Sequence, residues 1–323
     1  MKKKRNASKW VSLGLGVLLA AGISLGLTGC GGGQSADGSD TVSETSIGAE
    51  ANGDHNTYSV GTVSTQNGKR HHGGYSRYIM RVETKGVKPH RNQDKNQGQQ
   101  SNGQNSGGIS PSDVDLTGID TTKPMIALTF DDGPGAGTEK ILQILQENDA
   151  KATFFEVGTS IQNYPELSKK LADAGMQMAS HTWDHPDMTS LSDSEIEKTL
   201  SKTAAEMEKA TGGTTPSALR PPYGAVDDNV KSQVNLPIIL WSIDTLDWSS
   251  RDADAICQKV DAADPGDGDI ILFHDIYEST ADAVARLVPQ LKAKGFQLVT
   301  VEQMFAAKNK ELKNGTVYCD SYE

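Results

Sequence analysis

From residue 121 to about 308 the chain alternates short apolar runs with longer amphipathic stretches, and this alternation restricts the fold more than any other feature. The apolar runs predict strands at residues 125–130, 152–157, 176–180, 217–219, 237–243, 269–273 and 297–301. The amphipathic stretches predict helices at residues 138–148, 164–174, 192–210, 226–233, 252–262, 280–293 and 302–308. Ser192 and Glu195 form a capping-box signature at one helix start. Gly175 and Gly295 fall where C-terminal glycines end helices. Strict alternation implies parallel strands joined by crossover helices. About seven such units in under two hundred residues predict an α/β fold: a distorted, incomplete (β/α) barrel with outer helices. An open doubly wound sheet is the alternative. No Gly-x-Gly-x-x-Gly turn follows the first strand, which argues against a dinucleotide site.

Charged residues collect just after these strands. Asp131-Asp132 closes the first, and Gly133-Pro134 stops the ladder there. His181-Thr182-Trp183-Asp184-His185-Pro186 follows the third, Arg220-Pro221-Pro222-Tyr223-Gly224 the fourth and Asp244-Thr245-Leu246-Asp247-Trp248 the fifth, while Leu272-Phe273-His274-Asp275 ends the sixth. In a parallel barrel all five endings share one rim, where active sites are built. Taken alone, Asp-Asp-Gly-Pro reads equally well as a solvated turn. Neighbouring strand side chains point to opposite faces, so Asp131 and Asp132 converge only if the strand ends between them. His181 and His185, four apart, would share one face of a helical turn. With Asp132 they would make a three-ligand metal site with an open position. His274 beside Asp244 suits a general acid, because a nearby carboxylate raises an imidazole pKa. Arg220 could hold Asp131 ionised. Trp248 and Leu272 could wall a small apolar pocket or simply pack in the core.

These residues resemble the polysaccharide deacetylases of carbohydrate esterase family 4, with the NodB homology domain. Thr129-Phe130-Asp131-Asp132, His181-Thr182-x-x-His185, Arg220-Pro221-Pro222-Tyr223, Asp244-x-x-Asp247-Trp248 and Leu272-x-His274 match its five motifs in order. The resemblance implies a catalytic domain over residues 121–308. It implies a divalent metal at Asp132, His181 and His185, most often zinc, with Co2+ or another divalent ion as alternatives. It implies Asp131 as general base oriented by Arg220, His274 as general acid tuned by Asp244, and an oxyanion contact from the Tyr223 backbone N–H. Trp248 and Leu272 would line the acetyl-methyl pocket. The implied reaction is N-deacetylation of a cell-wall glycan, foremost the N-acetylglucosamine of peptidoglycan. Chitooligosaccharide N-deacetylation and acetyl-xylan O-deacetylation would use the same site. A catalytically silent glycan-binding lipoprotein leaves Asp131 and His274 without a purpose. An iron oxygenase, which also uses two His and a carboxylate, leaves the second acid, Arg220 and His274 without one.

The remaining sequence concerns placement. Formal charge is −11, which argues against nucleic acid as the main partner. Lys2, Lys3, Lys4, Arg5 and Lys9 precede an uncharged apolar run at residues 11–27 and then Leu27-Thr28-Gly29-Cys30. That pattern predicts an export signal over residues 1–30 ending at a lipidated Cys30, hence an extracytoplasmic protein anchored to the outer face of the membrane. An uncleaved membrane anchor is the alternative. Residues 31–120 are rich in Gly, Ser, Asn and Gln and predict a flexible, disordered tether. Its basic island, residues 69–91, reads as a solvated spacer or a contact for anionic headgroups or wall polymers. Cys257 and Cys319 form either a disulfide or two free thiols. Residues 309–323 are expected to be a tail outside the domain, and the protein a monomer.

Overall fold

The protein is described by a computed structural model over residues 107–322. The export segment with Cys30, the basic island and the spacer up to residue 106 lie outside the described residues. In chain order the strands are β1 (Gly108–Ile109), β2 (Met125–Asp131), β3 (Thr153–Glu156), β4 (Gln177–Ser180), β5 (Ile238–Ile239), β6 (Ile243–Asp244), β7 (Ile270–His274), β8 (Gln297–Leu298), β9 (Leu312–Lys313) and β10 (Val317–Tyr318). The helices are α1 (Thr138–Glu147), α2 (Gly158–Asn163), α3 (Pro165–Asp173), α4 (Asp193–Thr211), α5 (Asp228–Gln233), α6 (Asp247–Ser250), α7 (Ala253–Ala263), α8 (Glu278–Ala293) and α9 (Val301–Ala307).

The central strand β2 is buried along its whole length, as its unbroken apolar run requires. Its two faces serve different cores. Ile126, Leu128 and Phe130 join Phe154, Phe273 and the inner stripes of α1 and α8 in an outer layer. Phe130 stacks there between Phe154 and Phe273, with ring centroids at 5.0 and 5.5 Å. Met125 and Ala127 face the other way and join Phe155, Ala179, Ala218, Ile239 and Ile270 in an inner cluster. Val301, Met304 and Phe305 of α9 complete that cluster.

The strands run parallel in the order β4-β3-β2-β7-β6, and β8 pairs with the first two residues of β2. Leu219 bridges Ser180 on one side and Ile238 on the other. The segment 237–244 therefore meets Leu219 at its start and β7 at its end, closing an irregular barrel. Residues 237–243 are predicted as one strand. They form two, because Leu240 to Ser242 leave the ladder between β5 and β6. The stretch 297–301 stops as a strand at Leu298, since Thr300 caps α9 with a reciprocal Gln303 bond. The helices α2 and α6 have no counterpart in the sequence-based expectation. The capping box of α4 and the left-handed glycines 175 and 295 are present as expected.

Both expected domain edges need correction. Gly108–Ile109 pairs antiparallel with Leu312–Lys313, so residues before 121 already belong to the folded unit. Val317–Tyr318 adds parallel to β5, and Leu312 is buried in the inner cluster. Residues 309–322 are thus sheet and core, not a loose tail. Two-residue strands carry too little periodicity to be seen from sequence. Leu312→Ala is expected to lower the unfolding free energy by about 2–5 kcal/mol, the usual cost of emptying a buried leucine site. Urea denaturation measures this, and an unchanged midpoint would show that the tail only rests on the barrel.

Candidate active site

Asp131 is the last residue of β2 and pairs in register with His274, the last residue of β7. Both follow the inward-facing alternation, two residues on from Thr129 and Leu272. Asp132 then takes φ of +72°, which breaks the alternation. This left-handed residue brings the second carboxylate to the same rim as the first.

Arg220 is fully buried within the barrel. Its Nη1 donates to Asp131 Oδ1 at 2.6 Å and to Thr129 Oγ1 at 2.9 Å. Nε donates to the Ile239 carbonyl at 2.9 Å and Nη2 to the Leu240 carbonyl at 2.8 Å. The guanidinium also lies 4.1 Å from the Phe155 ring centroid. Burial pushes the Asp131 pKa up, while Arg220 and then His274 pull against it.

Asp132, His181 and His185 present one ligand atom each, all within 4.8 Å of one another. Asp132 Oδ1 lies 3.5 Å from His181 Nε2 and 3.4 Å from His185 Nε2. His181 Nδ1 sits 2.6 Å from the Arg220 carbonyl, so that nitrogen carries the proton and Nε2 keeps its lone pair. Burial drives the His181 pKa down to about 3, so the ring is neutral at physiological pH. Asp132 Oδ1 is buried without a hydrogen-bond partner. A neutral imidazole with a free lone pair and an orphaned carboxylate oxygen are what a divalent cation requires, so this donor set fits one. The histidines do not converge through a helical turn, as their spacing suggests. Residues 181–187 are loop, with Thr182 at φ +70° and His185 at φ +60°.

His274 has a different partner from the one inferred from sequence. Its Nδ1 lies 2.8 Å from Asp247 Oδ1, and its backbone N–H donates to Asp247 Oδ2 at 2.7 Å. Thr280 Oγ1 and the Trp248 N–H also donate to this carboxylate. Asp244 instead accepts from the Leu246 N–H at 2.9 Å. The tuning assigned to Asp244 therefore passes to Asp247. Sequence could not separate the two acids, because the choice depends on the short α6, which turns Asp247 inward. Burial alone would lower the His274 pKa. The Asp247 hydrogen bond and the carboxylates of Asp131, Asp247 and Asp132 outweigh it and push it up to about 9.

Tyr223 lies in a one-turn 3-10 segment at φ +62°, its ring edge-on to His185 with centroids 4.7 Å apart. Among the described residues no hydrogen bond uses its backbone N–H. Leu272 is buried below His274 on the same face of β7, and Trp248 is 49% exposed at the rim. Asp275, unassigned from sequence, supports the Asp132–Gly133 turn from behind. Its carboxylate accepts from Thr138 Oγ1 at 2.5 Å, and that hydroxyl accepts from the Gly135 N–H at 2.7 Å. A Cβ on Gly133 would stand 2.2 Å from Asp275 Oδ1, so only glycine fits there. Cys257 is buried and Cys319 exposed, and no disulfide joins them.

The family model described as Polysaccharide deacetylase matches residues 118–237. A solved T48 deacetylase with substrate is 40% identical, with a TM-score of 0.59, over 62% of this chain and 99% of that one. The chain belongs to the polysaccharide deacetylase family.

Other members of that family are similar over the same region. The peptidoglycan-N-acetylglucosamine deacetylase PgdA of Listeria monocytogenes is 40% identical over 200 residues, 62% of this chain and 42% of that protein. The peptidoglycan-N-acetylmuramic acid deacetylase PdaC of Bacillus subtilis is 39% identical over 193 residues, 59% of this chain and 41% of that protein. The chain thus spans about two fifths of the length of these two relatives.

The Asp131–Arg220 pair yields a stability test. Arg220→Met strands a buried carboxylate and is expected to cost about 3–5 kcal/mol. Adding Asp131→Leu removes the stranded charge and should recover part of that loss. Denaturant unfolding of both single variants and the double variant checks this, and simple additivity of the single losses would mean the two groups are not coupled.

Proposed function

We propose that this protein is a metal-dependent N-deacetylase of cell-wall glycan, with N-acetylglucosamine of peptidoglycan as its first substrate. One observation carries the reading. A carboxylate fixed by a buried arginine and a histidine held by a buried aspartate stand at paired strand ends beside a three-donor cation site. The similarity to peptidoglycan deacetylases supports the substrate class. Those two relatives act, by name, on different sugars of the same polymer, so the sugar rests on the more similar of them.

Asp132, His181 and His185 would hold the cation, and we assign zinc from the mixed His and carboxylate donors. When bound, it would lower the pKa of a water and polarise the acetamido carbonyl. Asp131 takes the proton of the attacking water, oriented by the single Arg220 contact on Oδ1. Its other oxygen lies 3.7 Å from His181 Nε2, beside the cation site. The Tyr223 N–H donates to the oxyanion as the acyl carbon becomes tetrahedral. His274 has Nδ1 engaged by Asp247, leaving the Nε2 proton to give to the departing amine. Leu272 and Trp248 take the acetyl methyl. The products are acetate and a free amino sugar. We further propose that a lipidated Cys30 holds the enzyme at the outer membrane face, within reach of the wall.

Acetate release from peptidoglycan should be lost with a chelator and return with zinc. Asp131→Asn should reduce turnover about 100- to 10,000-fold while the metal content stays at wild-type level. Full activity in that variant would remove Asp131 from the role of base.

A second test concerns pH. An acid must be protonated to act, so activity should persist below the His274 pKa, which the Asp247 hydrogen bond raises above the usual imidazole range, and decline as pH rises through it. Asp247→Asn removes the charge that raises this pKa, so the alkaline limb of kcat/KM should move to lower pH. A limb that stays in place would separate Asp247 from the acid.

A further inference from the structure

The mechanism uses Trp248 and His274 but leaves unused the pair that lies beside both. Arg251 immediately follows α6, the helix whose first residue holds His274. Its backbone is left-handed, at φ +46°, with its N–H donating to the Asp247 carbonyl at 2.9 Å. The guanidinium lies 4.6 Å from the Tyr277 ring centroid. Nη2 is 3.5 Å from the Tyr277 hydroxyl and Nε is 3.4 Å from the Trp248 carbonyl. The Tyr277 ring in turn lies 6.4 Å from the His274 ring. These contacts set a cation and an aromatic face on the rim next to the group that protonates the leaving amine.

Arg251 is exposed, and among the described residues no carboxylate lies within ion-pair distance of it. Nearby Arg286, by contrast, is paired with Asp254. Both side-chain hydrogen bonds of Arg251 are long, so most of its five N–H donors are free for a planar partner. Stacking on Tyr277 limits the side chain's freedom before any ligand arrives. A neutral sugar would need only the aromatic faces of Trp248 and Tyr277. The charge matters for an anionic strand approaching a chain of net charge −11 and a rim bearing Asp131, Asp132 and Asp244.

We propose that Arg251 and Tyr277 form a subsite for a carboxylate carried by the glycan next to the sugar being deacetylated. This rests on the deacetylase reading above and narrows its substrate to a carboxylate-bearing strand. Two sources share that chemistry: the lactyl carboxylate of a muramic residue and the carboxylates of a peptide stem.

The test compares the full chain with Arg251→Ala and Arg251→Lys on three substrates: a neutral N-acetylglucosamine pentamer, peptide-free glycan strands with free lactyl carboxylates, and strands bearing peptides. Arg251→Ala should lower the ratio of kcat/KM on carboxylate-bearing strands to that on the pentamer about five- to tenfold, through KM rather than kcat. Arg251→Lys should recover part of the ratio. A drop on the peptide-free strands alone assigns the lactyl carboxylate, which is an uncharged amide wherever a stem is attached. A drop on peptide-bearing strands alone assigns the stem, and a drop on both shows that the subsite takes either carboxylate. Raising salt should erode the wild-type preference and leave that of Arg251→Ala in place. An unchanged ratio, or equal loss on all three substrates with a lowered melting temperature, overturns the subsite. Should wild type release no acetate from any of them, the deacetylase reading fails. Direct titration of the same strands then decides the subsite, since Arg251→Ala must still weaken binding of the charged strands more than of the pentamer.

Discussion

The contact between Arg220 and Asp131 governs the rest of the structure. A guanidinium inside a barrel is costly to desolvate, and its burial is tolerated only because four acceptors and an aromatic face meet it. The inner layer accommodates it through small residues, Ala127, Ala179 and Ala218, around the Phe155 ring. The pair draws together the end of β2, the Leu219 bridge and the segment after β5. It therefore fastens the irregular side of the barrel and fixes Asp131 in one place with one group. The Arg220 carbonyl also sets the His181 tautomer, so one residue orders both Asp131 and the candidate cation site.

Around that pair the backbone is held in unusual conformations. Nine non-glycine residues among those described have positive φ, and six of them, Asp132, Thr182, His185, Tyr223, Leu246 and Arg251, lie on the strand-end loops of the rim. Such residues persist only where neighbouring structure over-determines them. Here the support is visible. Asp275 and Thr138 hold the turn after Asp132, and Asp247 anchors α6 between Leu246 and Arg251. The buried acids Glu156 and Asp275, raised by burial to about 8 and about 7, belong to this support layer. The result is a rim on which the Asp132, His181 and His185 donor atoms, Asp131 and His274 are each held by neighbouring structure.

Much of this was legible before any coordinates. The apolar run of β2 is read correctly because a strand buried on both faces has no polar alternation to obscure it. Asp131, Asp132, His181, His185, Arg220 and His274 meet on one rim because parallel strands place all their C-terminal ends together. The failures are just as specific. His181 and His185 converge through left-handed loop residues, a conformation that i, i+4 spacing does not encode. Asp244 and Asp247 are equivalent as sequence neighbours of Trp248, and only α6 distinguishes them.

The alternation of strands and helices from β2 onward and the identity of the ionisable groups at each strand end were set by local composition. They depend on periodicity and on residue chemistry, which are properties of short windows. Three matters were decided only by packing: which acid grips His274, that the C-terminal segment joins the sheet, and that Arg251 stacks on Tyr277 near His274. Each of these pairs groups brought together by the barrel's closure, across tens of residues or through a single rotated turn. No window of sequence contains the geometry that selects one partner over another.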